Sequence, residues 1–218
     1  MTASWRKLPL VVLVSGRGSN LQAILDGAGK GDLPVDIRAV ISNRPDVYAL
    51  ERARQSGVPA LTLDHKAFPD RQSFEIALRE MIDSCTPELV ILAGFMRVLS
   101  AAFVEHYGGR LLNIHPSLLP KYRGLHTHER ALAAGEQEHG ASVHFVTPEL
   151  DSGPVILQAR VPVLSSDDPD RLAIRVLEQE HKIYPLAIRW FAEGRVSLIA
   201  DQILFDGQPL TEPRLFAP

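Results

Sequence analysis

The sequence predicts an α/β protein: a three-layer, mostly parallel twisted sheet with helices on both faces, in a Rossmann-like arrangement. Three observations carry this. Leu8 to Ser15 and Glu88 to Ala93 are nearly continuous apolar runs, as strands buried on both faces must be. Such runs alternate with segments of helical periodicity, the rhythm of β-α-β units. The first run also ends in Gly16-Arg17-Gly18-Ser19-Asn20 and passes straight into a helical pattern, Leu21-Gln22-Ala23-Ile24-Leu25.

Taken in order, the second strand spans Asp36 to Ser42, and Val47 to Ser56 reads as a helix closed by Gly57. Ala60 to Leu63 is a short strand. Asp70 to Ser84 is a helix with Phe74, Ala77, Leu78, Met81 and Ile82 on one face. After the Glu88 to Ala93 strand, Ser100 suits the N-cap of a helix that Gly108-Gly109 stops. Arg110 to Ile114 is the next strand. Glu129 to Gly135 forms a short helix, and Ala141 to Thr147 and Val155 to Val163 alternate like strands. Asp167-Asp168-Pro169 opens a long helix towards Gly194, which Pro185 is expected to kink or divide. Val196 to Ala200 and Ile203 to Phe205 suit a terminal hairpin or edge strands.

At 218 residues, 45% hydrophobic and 22% charged, the chain is expected to be one domain over 1–218, with a core at about 8–194 and an appendage at 195–218. A net charge of −3 gives no footprint for nucleic acid or an anionic membrane. The single cysteine, Cys85, excludes an internal disulfide. The start, Met1 to Lys7, lacks the apolar run of a secretion signal, so a cytoplasmic location is expected.

The chemical centre is read at Leu111-Leu112-Asn113-Ile114-His115-Pro116-Ser117-Leu118-Leu119-Pro120. Pro116 forbids regular continuation of the strand. In extended backbone, Asn113 and His115 project to the same face. An amide donor thus lies beside a group that titrates near neutrality, at the carboxyl end of a strand, where open α/β sheets bind ligands. The polar stretch Tyr122 to His128 is expected to be a mobile loop beside it. Asp151 is expected to sit rigidly at the crest of the tight connection Pro148 to Pro154.

The glycine loop has the geometry of an anion site, with backbone N–H groups and a helix N-terminus facing a phosphate. A plain tight turn with a Ser19 or Asn20 cap is the alternative. The loop is a poor dinucleotide fingerprint: Leu21 replaces the third glycine, and the second strand ends in Ser42-Asn43-Arg44 rather than an acid. It also lacks the Lys-Ser/Thr end of a Walker loop. A monophosphate fits better. Histidines without HExxH or cysteine clustering give no reason to expect a metal. His144, within an alternating strand, reads as structural or supporting, while His106 and His139 read as surface residues.

Ser15 to Ile24, Leu92 to Leu99, Asn113 to Pro120 and Glu149 to Pro154 together resemble the glycinamide ribonucleotide formyltransferases of the folate-dependent formyltransferase superfamily. The resemblance runs in order from about Leu8 to Gly194. Asn-x-His-Pro-Ser-Leu-Leu-Pro marks the superfamily; the glycine loop and Gln179-Glu180-His181 narrow it. It implies formyl transfer from 10-formyltetrahydrofolate, a co-substrate, to the amine of 5′-phosphoribosylglycinamide in purine biosynthesis. Asn113 and protonated His115 then stabilise the tetrahedral intermediate, assisted by Asp151. Gly18, Ser19 and Asn20 match the ribonucleotide-phosphate loop, and Glu180 the acid on the ribose hydroxyls. Met96, Arg97, Val98 and Leu99, with Thr147, Pro148, Glu149, Leu150 and Asp151, match the pterin pocket. Arg71 and Arg97 match cations at the folate's glutamate tail. Arg17 stands where some relatives carry Asn. The implied partners are small molecules, the assembly a monomer or homodimer, and no metal is required.

The nearest rival is a formyltetrahydrofolate deformylase, which shares Asn113, His115 and Asp151 and uses water as acceptor. That family normally adds an N-terminal regulatory domain, and a methionyl-tRNA formyltransferase would add a C-terminal one. A sugar-nucleotide formyltransferase gives no reason for the phosphate loop paired with Glu180. A catalytically silent nucleotide-binding module and a nicotinamide oxidoreductase are the readings from other classes.

Overall fold

The structure, a computed structural model, describes residues 6–217. The chain divides into two compact units, one ending at Leu112 and the other beginning at Asn113.

The first unit is built on β1 (Leu8–Val14), α1 (Ser19–Lys30), β2 (Val35–Ser42), α2 (Tyr48–Gln55), β3 (Ala60–Thr62), α3 (Arg71–Ser84), β4 (Leu89–Leu92) and α4 (Ala101–His106). Its strand order is β3-β2-β1-β4, and every neighbouring pair is parallel. Leu10 to Val14 are fully buried, which is why β1 shows no polar alternation. Each such side chain contributes roughly 1.5–3 kcal/mol by leaving water. The chain steps outward from β1 to β3 and then returns to β4 on the other side of β1. That reversal is a topological switch point, and the segments leaving the carboxyl ends of β1 and β4 flank its crevice. Those segments are Ser15 to Asn20 and Ala93 to Leu99.

The second unit holds the end of β5 (Leu111–His115), then α5 (Thr127–Ala133), β6 (Glu138–Phe145), β7 (Val155–Pro162) and α6 (Pro169–Ala192). β5 lies beside β6, β6 pairs antiparallel with β7, and the short β11 (Arg214–Leu215) runs parallel to β7. β8 (Val196–Ile199), β9 (Gln202–Phe205) and β10 (Gln208–Pro209) form a separate antiparallel sheet, so the expected hairpin gains a third strand. α6 packs on β6 and β7 and runs unbroken through Pro185, which corrects the expected division. Its buried stripe, Leu172, Val176, Ile183, Tyr184, Ala187 and Ile188, continues past the proline and keeps both halves on one packing surface.

Caps follow the sequence at three helices. The side chains of Asp70, Ser100 and Asp168 accept backbone N–H groups at the starts of α3, α4 and α6. At α1 the expected Ser19 or Asn20 cap is not what forms. Gly18 holds the cap position at φ 71°, with no side-chain cap hydrogen bond.

Candidate active site

The central motif ends β5 as its proline requires. His115 is the last strand residue and is buried. Its Nδ1 lies 3.4 Å from Asp151 Oδ2, and its Nε2 lies 2.9 Å from the carbonyl oxygen of Tyr122. Both nitrogens therefore face acceptors, and an imidazolium carries an N–H for each. Asp151 reaches this position from a turn with φ 47°, a left-handed conformation that Asp tolerates better than most residues. The Gly124 N–H donates to its Oδ2 at 2.9 Å. Gly153 is dictated by crowding: a Cβ there would fall 1.9 Å from the Phe145 carbonyl oxygen, so only glycine lets the Asp151 turn lie against the end of β6.

His144 joins the cluster in a supporting place, as its position in the strand suggested. The pairing of β6 with β7 shifts register between Val143 and His144, and such bulges re-aim side chains. His144 Nδ1 is 2.9 Å from the Phe145 carbonyl oxygen, and its Nε2 is 3.1 Å from Asn113 Nδ2. Burial pushes the His144 imidazole well below the usual histidine range, so it is neutral at pH 7. Nδ1 then donates to the carbonyl and Nε2 accepts from the Asn113 amide. Asp151 Oδ1 at 3.8 Å is too far for a hydrogen bond. His144 thus fixes which way the Asn113 amide faces, and one amide hydrogen remains for another acceptor.

The segment expected to be a mobile loop is tied down along its length. Tyr122 OH donates to Glu136, as does Lys121 Nζ. Arg130 donates to the Arg123 carbonyl at 2.7 Å and stacks over the Tyr122 ring. Tyr122 and His126 take positive φ. His139, expected at the surface, is instead 1% exposed, and its ring meets His128 edge-on at 5.2 Å. Its place at the start of a strand concealed this. Burial and the neighbouring His128 hold it down at about 4. His106 is partly exposed and pairs with Asp83 at 2.9 Å.

In the first unit, Gly18 and Ser19 are half-buried and Asn20 is buried, at the start of the twelve-residue helix α1. The loop's form is set by α2: the Ala49 N–H donates to the Gly16 carbonyl, and a Cβ on Gly18 would come within 2.7 Å of Ala49 Cβ. Arg52 donates to the Arg17 carbonyl and to Gln22 Oε1, each at 2.8 Å. Past β4, Met96 and Val98 are 68% and 59% exposed, while Leu99 is buried and Arg97 half-buried. Arg71 is exposed one turn before buried Glu75, 3.6 Å from it.

In the second unit, Thr147 is half-buried, and Pro148, Glu149 and Leu150 are exposed beside Asp151. Glu180 is buried on α6. The residues brought into one cluster are therefore Asn113, His115 and Asp151, with His144 added; Gly18 to Asn20 and Met96 to Leu99 follow β1 and β4 in the other unit. Among the described residues no group of His, Cys, Asp and Glu has a metal-binding arrangement. No helix among them is long and apolar enough to cross a membrane.

A strand-end Asn and His joined to a turn Asp, beside a mostly parallel sheet, define a class. Residues 8–188 match the family model described as formyl transferase. The chain is 57% identical to phosphoribosylglycinamide formyltransferase of Escherichia coli (strain K12) over 92% of its length and 95% of that protein. A solved phosphoribosylglycinamide formyltransferase from Coxiella burnetii superposes with a TM-score of 0.93 at 54% identity, covering 97% of this chain and all of the other. A solved formyltetrahydrofolate deformylase from Burkholderia mallei shares the fold at TM-score 0.84, but at 30% identity and over 71% of that chain. The chain belongs to the formyl transferase family, in its phosphoribosylglycinamide formyltransferase branch.

Proposed function

We propose that the chain transfers the formyl group of 10-formyltetrahydrofolate to the amine of 5′-phosphoribosylglycinamide, giving formylglycinamide ribonucleotide and tetrahydrofolate in de novo purine biosynthesis. The observation that carries the mechanism is the His115–Asp151 contact with Asn113 oriented beside it. The amine nitrogen attacks the formyl carbon; the new C–N bond forms, the carbonyl pair moves to oxygen, and the C–N10 bond then breaks. The amine gives up a proton and N10 of the folate gains one. Negative charge develops on the formyl oxygen. The free amide hydrogen of Asn113 and the Nε2–H of His115 donate to it, a side-chain oxyanion hole. Asp151 balances the imidazolium and organises the water that relays the proton. Tyr122 supplies the carbonyl that accepts from Nε2 in the structure, so the substrate oxygen takes the place of that carbonyl, and the Tyr122 segment yields as folate enters.

The remaining roles are proposals on the same footing. Gly18, Ser19 and Asn20, where α1 begins, hold the ribonucleotide phosphate through backbone N–H groups at the positive end of the helix. Glu180 takes the ribose hydroxyls. Met96 to Leu99 of the first unit and Thr147 to Asp151 of the second are each pterin-binding segments on this reading, and exposed Met96, Val98 and Leu150 offer the ring apolar surface. Arg71 and Arg97 meet the glutamate tail. On this reading residues 1–218 act as one formyltransferase domain, in a cytoplasmic monomer or homodimer.

The deciding experiment is a spectrophotometric assay of tetrahydrofolate release from 10-formyltetrahydrofolate with and without 5′-phosphoribosylglycinamide. Release only with the ribonucleotide is expected. Equal release without it would make the chain a deformylase, and no release in either case would leave a binding module.

A further inference from the structure

The reading of Gly18 to Asn20 and Met96 to Leu99 leaves a buried polar pair of the first unit without a role: Ser15 and Asn43, each only 2% exposed. Asn43 directly follows β2, where a dinucleotide-binding fold would carry its ribose acid. Here its side chain turns inward. Ser15 Oγ donates to Asn43 Oδ1 at 2.5 Å and accepts the Met96 N–H at 2.8 Å. The Ser15 N–H donates to the Gly94 carbonyl oxygen at 3.1 Å. Asn43 is anchored in turn, since the His65 backbone N–H donates to its carbonyl at 3.2 Å and His65 Nδ1 lies 2.8 Å from the same oxygen.

Ser15 is therefore bonded on two sides to the segment that follows β4, while in sequence it is the residue immediately before the glycine loop. The hydroxyl spends its one proton on Asn43 and accepts the Met96 N–H, both inside the protein. We infer that Ser15 and Asn43 are a shared positioning pair for the two substrates, a buried strut that sets the spacing between the phosphate loop and the pterin-reading segment at the switch point. This rests on the substrate assignments above. The chemical need for it is plain, because amine and formyl carbon must meet within about 3–3.5 Å while being held by separate segments. A loop held by its own turn geometry would fix the phosphate alone. The strut makes the Met96 backbone and Gly16 parts of one rigid piece.

The other anchors in this unit act on one side only and supply the contrast. Arg52 braces the phosphate loop. Glu75 accepts the Ser100 N–H at 2.9 Å and also the Ser100 hydroxyl, which clamps the far end of the Met96 to Leu99 segment.

The test is steady-state kinetics on the full chain, varying each substrate separately. Ser15→Ala leaves a buried amide oxygen and the Met96 N–H without their partner, and is expected to raise KM for both substrates about tenfold and to lower kcat. Ser15→Thr keeps the hydroxyl and is expected to recover both KM values. Arg52→Ala should raise KM for the ribonucleotide only, and Glu75→Gln KM for folate only. If Ser15→Ala does not fold, calorimetric Kd values of Asn43→Ala for 5′-phosphoribosylglycinamide and for tetrahydrofolate, each alone, take its place, with both expected to weaken. Both constants unchanged, or only one moved, in a folded variant would overturn the shared strut. Arg52→Ala and Glu75→Gln leaving their own substrates unaffected would instead overturn the substrate assignments, whatever Ser15→Ala does.

Discussion

The glycine loop after β1 and the His115 cluster solve binding problems with opposite materials. The loop is backbone: Gly18 at φ 71°, a helix start without a side-chain cap, and carbonyls braced by Ala49 and Arg52. Its function needs contiguous residues and little side-chain identity. The cluster is side chain: an imidazole, an amide and a carboxylate drawn from β5 and a distant turn, oriented by a fourth group on β6. Its function needs particular atoms, and backbone only carries them. The two regions should therefore respond to mutation in opposite ways, one to added Cβ atoms and the other to lost functional groups.

The largest effect is expected in the cluster. His115→Ala or Asp151→Asn should lower kcat by about 10²–10⁴, the usual scale for an oxyanion-hole donor or proton-handling group. Calorimetric binding of 5′-phosphoribosylglycinamide should be nearly unchanged, since the loop is elsewhere in the chain. Near-normal turnover in either variant would remove that residue from the mechanism. His144→Leu should come next, lowering kcat about tenfold with KM for the ribonucleotide retained, because Asn113 loses the acceptor that orients it. A glutamine at 144 can present an oxygen to the same amide and should recover part of the rate. Equal loss in both variants would point to packing rather than orientation.

Gly18→Ala tests the loop from the other side. The added Cβ meets Ala49 at 2.7 Å in a backbone region costly for L residues, so destabilisation of about 1–3 kcal/mol is expected. KM for the ribonucleotide should rise severalfold with kcat the less affected constant. Arg17→Asn, by contrast, changes an exposed side chain and should move KM only slightly. If Arg17→Asn had the larger effect, the loop would be binding through side chains and the contrast would fail.

The loop was legible in the sequence because strand, glycines and helix are contiguous, and so were the parallel strands, whose burial on both faces leaves unbroken apolar runs. Asn113 and His115 were legible as neighbours on one strand face. Their meeting with Asp151 came only through family resemblance, since nothing local says which turn folds back onto β5. His139 was misread because a histidine at the start of an alternating strand shows nothing of its burial. Pro185 does not divide α6, because a proline's local cost says nothing of the packing stripe that carries the helix through it. The Ser19 or Asn20 cap failed at the most functional helix start, where Gly18 takes the cap position instead.

Acid should separate the two regions by stability as well. Burial lowers three histidines of the second unit, His128, His139 and His144, from the ordinary value of 6.5, His139 to about 4. A depressed histidine is neutral in the fold and takes up its proton more readily when unfolded. Its contribution is thus fully present above about pH 6.5 and is lost as pH falls towards about 4, because the unfolded chain binds more protons in that window. The mutual repulsion of His128 and His139 adds to the loss once both are charged. Hydrogen exchange at pH 7.5 and pH 5 should therefore show β6 and α5 losing protection on acidification before β1 and β2 do. His139→Gln should flatten that difference while leaving the β1 amides as they were. Equal loss of protection in both units, or a β6 that stays protected at pH 5, would mean that the buried histidines are charged in the fold and that His144 is not the neutral acceptor that orients Asn113.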